Sequence, residues 1–243
     1  MKFYHKIVIL IFISNILSAQ TSGLGTWNIV NVKYNIDKNW SVFGEAQLRS
    51  LSFYNNFHYY EYKVGGNYKL DKNIVLSLGI GSYQTYQQGG NFVSPKSNDE
   101  FRIWPQVVLN QSLWKLKLEQ RYRAELRFTS DDYKNRFRYR IGLSYPFGKE
   151  KENYKPYQIG ISNEIFLSNK EPYFERNRFL TAFSYKPSKA VTLQAGYLHQ
   201  FDYKIDNKKN SDFLQIGCAI EIFRKSSQDK KSDDDKHEII LQD

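Results

Sequence analysis

The chain has 243 residues, 41% of them apolar or aromatic, and 35 Lys and Arg against 25 Asp and Glu, for a formal charge of +10. A single cysteine, Cys218, excludes an intramolecular disulfide framework. The mean hydropathy of −0.62, with no long apolar run after the N-terminus, excludes a bundle of membrane-spanning helices.

The first element is an export signal. Lys2 and Lys6 make a positive n-region, Ile7 to Leu17 an apolar h-region, and Leu17-Ser18-Ala19 a cleavage site before Gln20. Residues 1–19 are therefore expected to be a cleaved Sec signal peptide, and losing Lys2 and Lys6 lowers the charge of +10 by two. The apolar run is well short of the ~20 residues that a spanning helix needs.

Period-two alternation then predicts strands over 24–36, 40–51, 57–70, 74–88, 99–110, 113–129, 135–145, 154–168, 173–186, 190–203 and 212–223. The clearest runs from Leu113 to Phe128. Trp114, Leu116, Leu118, Gln120, Tyr122, Ala124, Leu126 and Phe128 fall on one face, and Lys115, Lys117, Glu119, Arg121, Arg123, Glu125 and Arg127 on the other. Successive strand side chains point to opposite faces, whereas helical spacing would scatter these apolar residues around a cylinder. Such strands exceed the usual ~5–6 residues and reach the ~9–11 that a tilted strand needs to cross a bilayer. Apolar-out, polar-in strands of that length predict an all-β fold, a transmembrane antiparallel up-and-down β-barrel over residues 20–223. Half of each strand is polar, which accounts for the low hydropathy.

Tight turns are expected at Asp37-Lys38-Asn39, Asp71-Lys72-Asn73, Asn110-Gln111-Ser112 and Pro187-Ser188-Lys189. Longer connections alternate with them at 52–56, 89–98, 129–134, 169–172 and 204–211, while 146–153 is long where a short turn is due. Eleven segments are counted, but single-chain bacterial barrels have even numbers, so 10–12 strands are expected. Pro105 cannot donate to a ladder and predicts a bulge or a local break. Nineteen Tyr and four Trp suit two aromatic girdles. After Phe223 the alternation stops, and residues 224–243 read as a solvated charged tail, with partner binding or a short closing strand as alternatives.

The opening Leu24-Gly25-Thr26-Trp27 and the run Arg121-Tyr122-Arg123-Ala124-Glu125-Leu126-Arg127-Phe128 carry a resemblance. So do Arg136-Phe137-Arg138-Tyr139-Arg140, Asn163-Glu164-Ile165-Phe166 and Asn177-Arg178. The chain resembles a Bacteroidetes-type family of outer-membrane barrels, domain of unknown function 2490, over most of residues 24–223. The resemblance implies an outer-membrane barrel and supplies no biochemical activity. The tail after Phe223 departs from it.

The densest constellation is ionic. Arg121, Arg123, Glu125 and Arg127 share a face with Arg136, Arg138 and Arg140 if the sixth and seventh strands form a hairpin, and Glu164 and Arg178 join from the next two. Glu45, Arg49, Glu61 and Lys63 lie elsewhere on the wall. Arg or Lys at a bilayer midplane costs ~2–4 kcal/mol, so these charges are expected to face inward. They either plug the lumen as a salt-bridge network or line a narrow path for small anions.

Other chemistry is sparse. A lipid- or lipopolysaccharide-modifying hydrolase at the rim would need a Ser and a His together, but no spacing links His58 or His199 to Ser52 or Ser211. No metal-ligand spacing emerges, and Asp131-Asp132 and Asp233-Asp234-Asp235 lack an EF-hand pattern. Gly79-Ile80-Gly81 and Gly89-Gly90 precede no helix and are structural. Cys218 reads as an apolar filler between Ile216 and Ile220. Expected is a monomer in the outer membrane, without cofactor, surrounded by lipid and lipopolysaccharide and folded by the barrel-assembly machinery. Nucleic acid is not an expected partner, since the basic residues alternate with apolar ones.

Overall fold

The computed structural model describes residues 23–130, 132–205 and 207–224. The expected signal peptide, the charged tail beyond Arg224, Asp131 and Asp233-Asp234-Asp235 lie outside these residues. The strands are β1 (Leu24–Asn35), β2 (Trp40–Ser52), β3 (Asn55–Lys69), β4 (Ile74–Gln87), β5 (Val93–Leu113) and β6 (Leu116–Thr129). They continue with β7 (Tyr133–Phe147), β8 (Tyr157–Ser168), β9 (Phe174–Ser188), β10 (Val191–Lys204) and β11 (Asn207–Phe223).

Each strand pairs with its predecessor, and the sheet closes into a barrel through β1 and β11. That closure corrects the expectation of an even, wholly antiparallel barrel. Eleven strands alternating up and down leave the first and last running the same way, and β1 and β11 pair in parallel from Leu24↔Asp212 to Asn35↔Phe223. The remaining neighbours are antiparallel. One rim, called upper here, carries the start of β1 and the β2–β3, β4–β5, β6–β7, β8–β9 and β10–β11 hairpins. The lower rim carries the other connections and the end of β11.

The lower turns show why the chain reverses where it does. Asp37 accepts backbone hydrogen bonds from Asn39 (2.8 Å) and Trp40 (2.7 Å), and Asp71 accepts them from Asn73 (2.6 Å) and Ile74 (2.9 Å). The repeated Asp-Lys-Asn triplet is an Asx turn used twice. Two other turns fall later than expected. The β5–β6 reversal is at Trp114-Lys115 instead of Asn110-Gln111-Ser112, and the β9–β10 reversal is at Lys189-Ala190. Trp114 thus leaves the apolar strand face for a left-handed turn position, φ +57°, and is 87% exposed. The upper connections 89–98 and 204–211 are shorter than expected because β5 begins at Val93 and β11 at Asn207. Pro105 makes a break without a bulge. The β5–β6 register is the same at Ile103↔Leu126 and Gln106↔Arg123, and only the pairs between are missing, while Pro105 stays opposite Leu78 of β4.

Alternation sorts the wall. Val30, Val42, Val64, Leu78, Ile141 and Ile161 are exposed outside, while the neighbouring polar positions are buried inside. The interior also holds an apolar cluster under the seam, made by Trp27, Ile29, Leu180, Leu198, Phe213 and Ala219. Opposite it, the rings of Phe43 and Trp104 lie 5.8 Å apart over Gly65 and Gly79. A Cβ at Gly65 would strike Phe43, and one at Gly79 would strike Trp104. These glycines make room for rings that fill the barrel.

Candidate functional site

All nine residues singled out from the sequence, Arg121, Arg123, Glu125, Arg127, Arg136, Arg138, Arg140, Glu164 and Arg178, are buried in the interior. Register sets Arg121 opposite Arg140 and Arg123 opposite Arg138, arrangements that like-charge repulsion would destabilise alone. Two carboxylates offset it. Glu125 receives Arg136 NH2 at 2.6 Å and Arg138 NH1 at 2.8 Å. Glu164 receives Arg121 NH2 at 2.6 Å and Arg138 Nε at 2.9 Å. Arg138 therefore bridges both carboxylates, a fork geometry that lysine cannot supply.

The network runs further than the sequence reading placed it. Glu100 pairs with Arg127 and, at 2.8 Å, with Arg102, while Arg140 pairs with Glu119. Near the upper rim Glu175 gathers Lys134 (3.3 Å), Arg127 (3.4 Å) and Arg136 (3.6 Å). Across the barrel Lys63 bridges Glu45 at 2.5 Å and Glu61 at 2.6 Å, and Arg49 adds a contact to Glu61 at 3.2 Å. Glu100, Arg102, Glu119 and Glu175 were absent from the expected cluster, although the first three fall on the polar side of their strands; Glu175 has the parity of outward Phe179 and sits where the β8–β9 register shifts.

Aromatic rings inside the barrel were also missed. The Phe166 ring meets the guanidinium groups of Arg138 (4.5 Å), Arg178 (4.7 Å), Arg136 (5.2 Å) and Arg176 (5.7 Å). Arg49 lies 3.3 Å over Trp27, Arg123 4.1 Å over Trp104, and Arg102 3.7 Å over Tyr83. A cation over a ring face gains electrostatic attraction where few carboxylates are present. The available signal was parity, since Phe166 stands two residues from Glu164 on the polar face of β8.

Among the described residues, ten buried Lys and Arg face six buried Glu, an excess of four positive charges. A cavity of about 20 Å³ lies against Arg140, Ser162, Glu164, Arg178, Leu180, Leu198 and Gln215. That is little more than the ~10–15 Å³ required by one water.

A family model described as protein of unknown function, DUF2490, matches residues 24–211. The chain belongs to that family. The match takes in every residue of this DUF2490 barrel's ionic cluster and the β1 side of the parallel seam, and stops before the paired β11 side, Asp212 to Phe223. No curated protein matches the chain.

The histidines of the DUF2490 chain lie apart. His58 occupies an irregularity between Arg49↔Tyr59 and Ser50↔Phe57. His199 points outward near the upper rim, where its Nδ1 is 2.8 Å from Asp212, and the Tyr197 hydroxyl donates to the same carboxylate at 2.5 Å. Ser211 stands opposite Gln200, whose side chain faces the interior, so it is on the other face from His199. Asp132 braces the β6–β7 hairpin to Lys170 at 2.6 Å. That ammonium and the Tyr133 N–H hold the Asp132 carboxyl below its usual range. Cys218 is a free, half-buried thiol. Among the described residues no group of three His, Cys, Asp or Glu is placed to hold a metal ion.

Proposed function

We propose that the chain is a monomeric outer-membrane β-barrel, exported by its signal peptide, whose interior is closed by its own ion pairs. Its role is non-enzymatic and lies in envelope structure, with passage restricted to the smallest anions at most. The observation that carries this reading is the Glu125–Arg138–Glu164 bridge, with a cavity of only about 20 Å³ beside it. Support for the membrane comes from the exterior. The rings of Trp40 and Tyr68 lie 4.8 Å apart near the lower rim, and Tyr60 meets Phe92 at 5.9 Å and Tyr86 at 6.0 Å near the upper. Tyr60 and Tyr68 are eight residue steps apart along β3, which at ~3.3 Å each and a ~40° tilt span ~20 Å, close to the apolar band of known barrels.

Lipid and lipopolysaccharide are then the immediate surroundings, and the barrel-assembly machinery is the partner during insertion. The test is single-channel recording of the refolded full chain in a planar bilayer, after a heat-modifiability gel has established a folded barrel. The expected result is electrical silence. Discrete conductance steps would overturn the closed interior, and anion selectivity lost on replacing Arg121, Arg123, Arg138 and Arg140 with Gln would put those side chains in a path.

One observation favours a second reading, a rim-located hydrolase of lipid or lipopolysaccharide. The His199–Asp212 pair has the orientation of a base and its orienting carboxylate, although no Ser hydroxyl is within hydrogen-bonding reach of it among the described residues. Hydrolysis of a fluorogenic lipid ester by the refolded chain, abolished by His199→Ala, would establish it.

A further inference from the structure

The interior carries more positive charge than its own carboxylates neutralise, and one place in it is shaped to receive the difference. The cavity of about 20 Å³ lies where the ionic walls of β7 and β8 meet the amide and leucine walls of β9, β10 and β11. Arg140 lines it and is 5% exposed. Its NH2 group is taken by Glu119, and its Nε–H is buried without a hydrogen-bond partner. A buried donor left unmade is costly, the more so when charged, so an acceptor at this place is strongly favoured.

The remaining lining fits the same ligand. Gln215 has its carbonyl oxygen occupied by the Gln194 amide at 3.0 Å, which leaves its NH2 group as the end that can bind a ligand. Ser162 supplies a hydroxyl, Arg178 a second guanidinium, and Leu180 and Leu198 a dry wall. Glu164 is the one acid in the lining, and its two oxygens are engaged by Arg121 at 2.6 Å and by Arg138 at 2.9 and 3.0 Å. The donors outnumber the free acceptors, which excludes a cation. The small volume favours a compact anion over phosphate or sulfate.

We infer that this cavity binds one monatomic anion of halide size, held between Arg140 and Arg178 as a counter-ion of the closed interior. The inference rests on the closed-barrel reading, and it adds a ligand to that reading. A bound chloride removes part of the excess charge at the junction of the two walls and fills the last space beside Glu164. The barrel is then more stable in halide than in a salt whose anion is too large to enter.

The decisive experiment is a crystal of the full chain grown or soaked in sodium bromide, with anomalous data collected at the bromine edge. The expected result is an anomalous peak within hydrogen-bonding distance of Arg140 Nε. Density without anomalous signal at saturating bromide would mean a water, and would overturn the inference. In parallel, the melting midpoint of the refolded chain is followed with chloride replacing gluconate at equal ionic strength. A rise of about 3–6 °C is expected at tenfold excess over the dissociation constant, growing with the logarithm of the halide concentration above it, and equal midpoints in both salts would count against a site.

Arg140→Gln should abolish the halide dependence. Should that variant fail to fold, Ser162→Leu fills the cavity from β8 and should abolish it equally. Conductance separates the two readings. A silent barrel without bromide keeps the closed interior and loses the anion site, whereas a conducting barrel with bromide at Arg140 does the reverse.

Discussion

At the scale of single residues, Glu125 shows what a buried carboxylate does among arginines. It holds Arg136 and Arg138 at 2.6 and 2.8 Å and is itself inaccessible to solvent. Glu125→Gln leaves two buried guanidinium groups without their main counter-charge and is expected to cost ~3–5 kcal/mol. Glu175 touches three cations, but at 3.3–3.6 Å and partly in solvent, so Glu175→Gln is expected to cost only ~0–1 kcal/mol. Denaturant unfolding of both variants in the same lipid vesicles checks the contrast, and equal losses would refute it. The charged half of this site was legible because period two assigns Arg121, Glu125 and Arg138 to one face without any tertiary knowledge. Phe166, Trp27 and Trp104 were not, because an aromatic residue suits either face of a barrel strand. Parity with Glu164 was the one local sign that Phe166 turns inward. Glu175 was missed because period two puts it on the outward face of β9 with Phe179, and only the register shift between β8 and β9 at that point departs from the pattern.

At the scale of elements, the strands were almost wholly legible and their ends less so. An alternating pattern loses its contrast once both faces reach water. Trp114 and Lys115 therefore looked like strand, while the chain in fact turns there. Eleven segments were readable, but not that the barrel closes on an odd number, because no local pattern distinguishes a parallel neighbour from an antiparallel one. The closing pair can be tested with the native thiol. Cys218 lies opposite Val30 across the parallel seam and opposite Leu193 in the β10–β11 hairpin. Val30→Cys is expected to cross-link to Cys218 with a short bis-thiol reagent as efficiently as Leu193→Cys does. Failure of the first where the second succeeds would show that β1 and β11 are not neighbours in this register.

At the scale of the whole molecule, the wall separates two chemistries with little mixing. Exceptions are neutralised locally: outward Gln120 accepts the hydroxyls of Tyr122 (3.2 Å) and Tyr139 (3.0 Å), and Asn163 and Asn177 bond one another at 3.0 and 3.1 Å. The odd strand count has a consequence for traffic across the wall. The chain enters β1 at the upper rim and leaves β11 at the lower, so in a membrane its two ends occupy different compartments. Peptide tags placed just before β1 and just after β11 should respond oppositely to an impermeant protease on intact cells, one cut and the other spared. Cleavage of both, or of neither, would indicate an even number of crossings. A barrel of this kind is also a rivet. Whatever binds one end is tied through one continuous chain to whatever binds the other, across a wall whose seam is paired from Leu24 to Asn35.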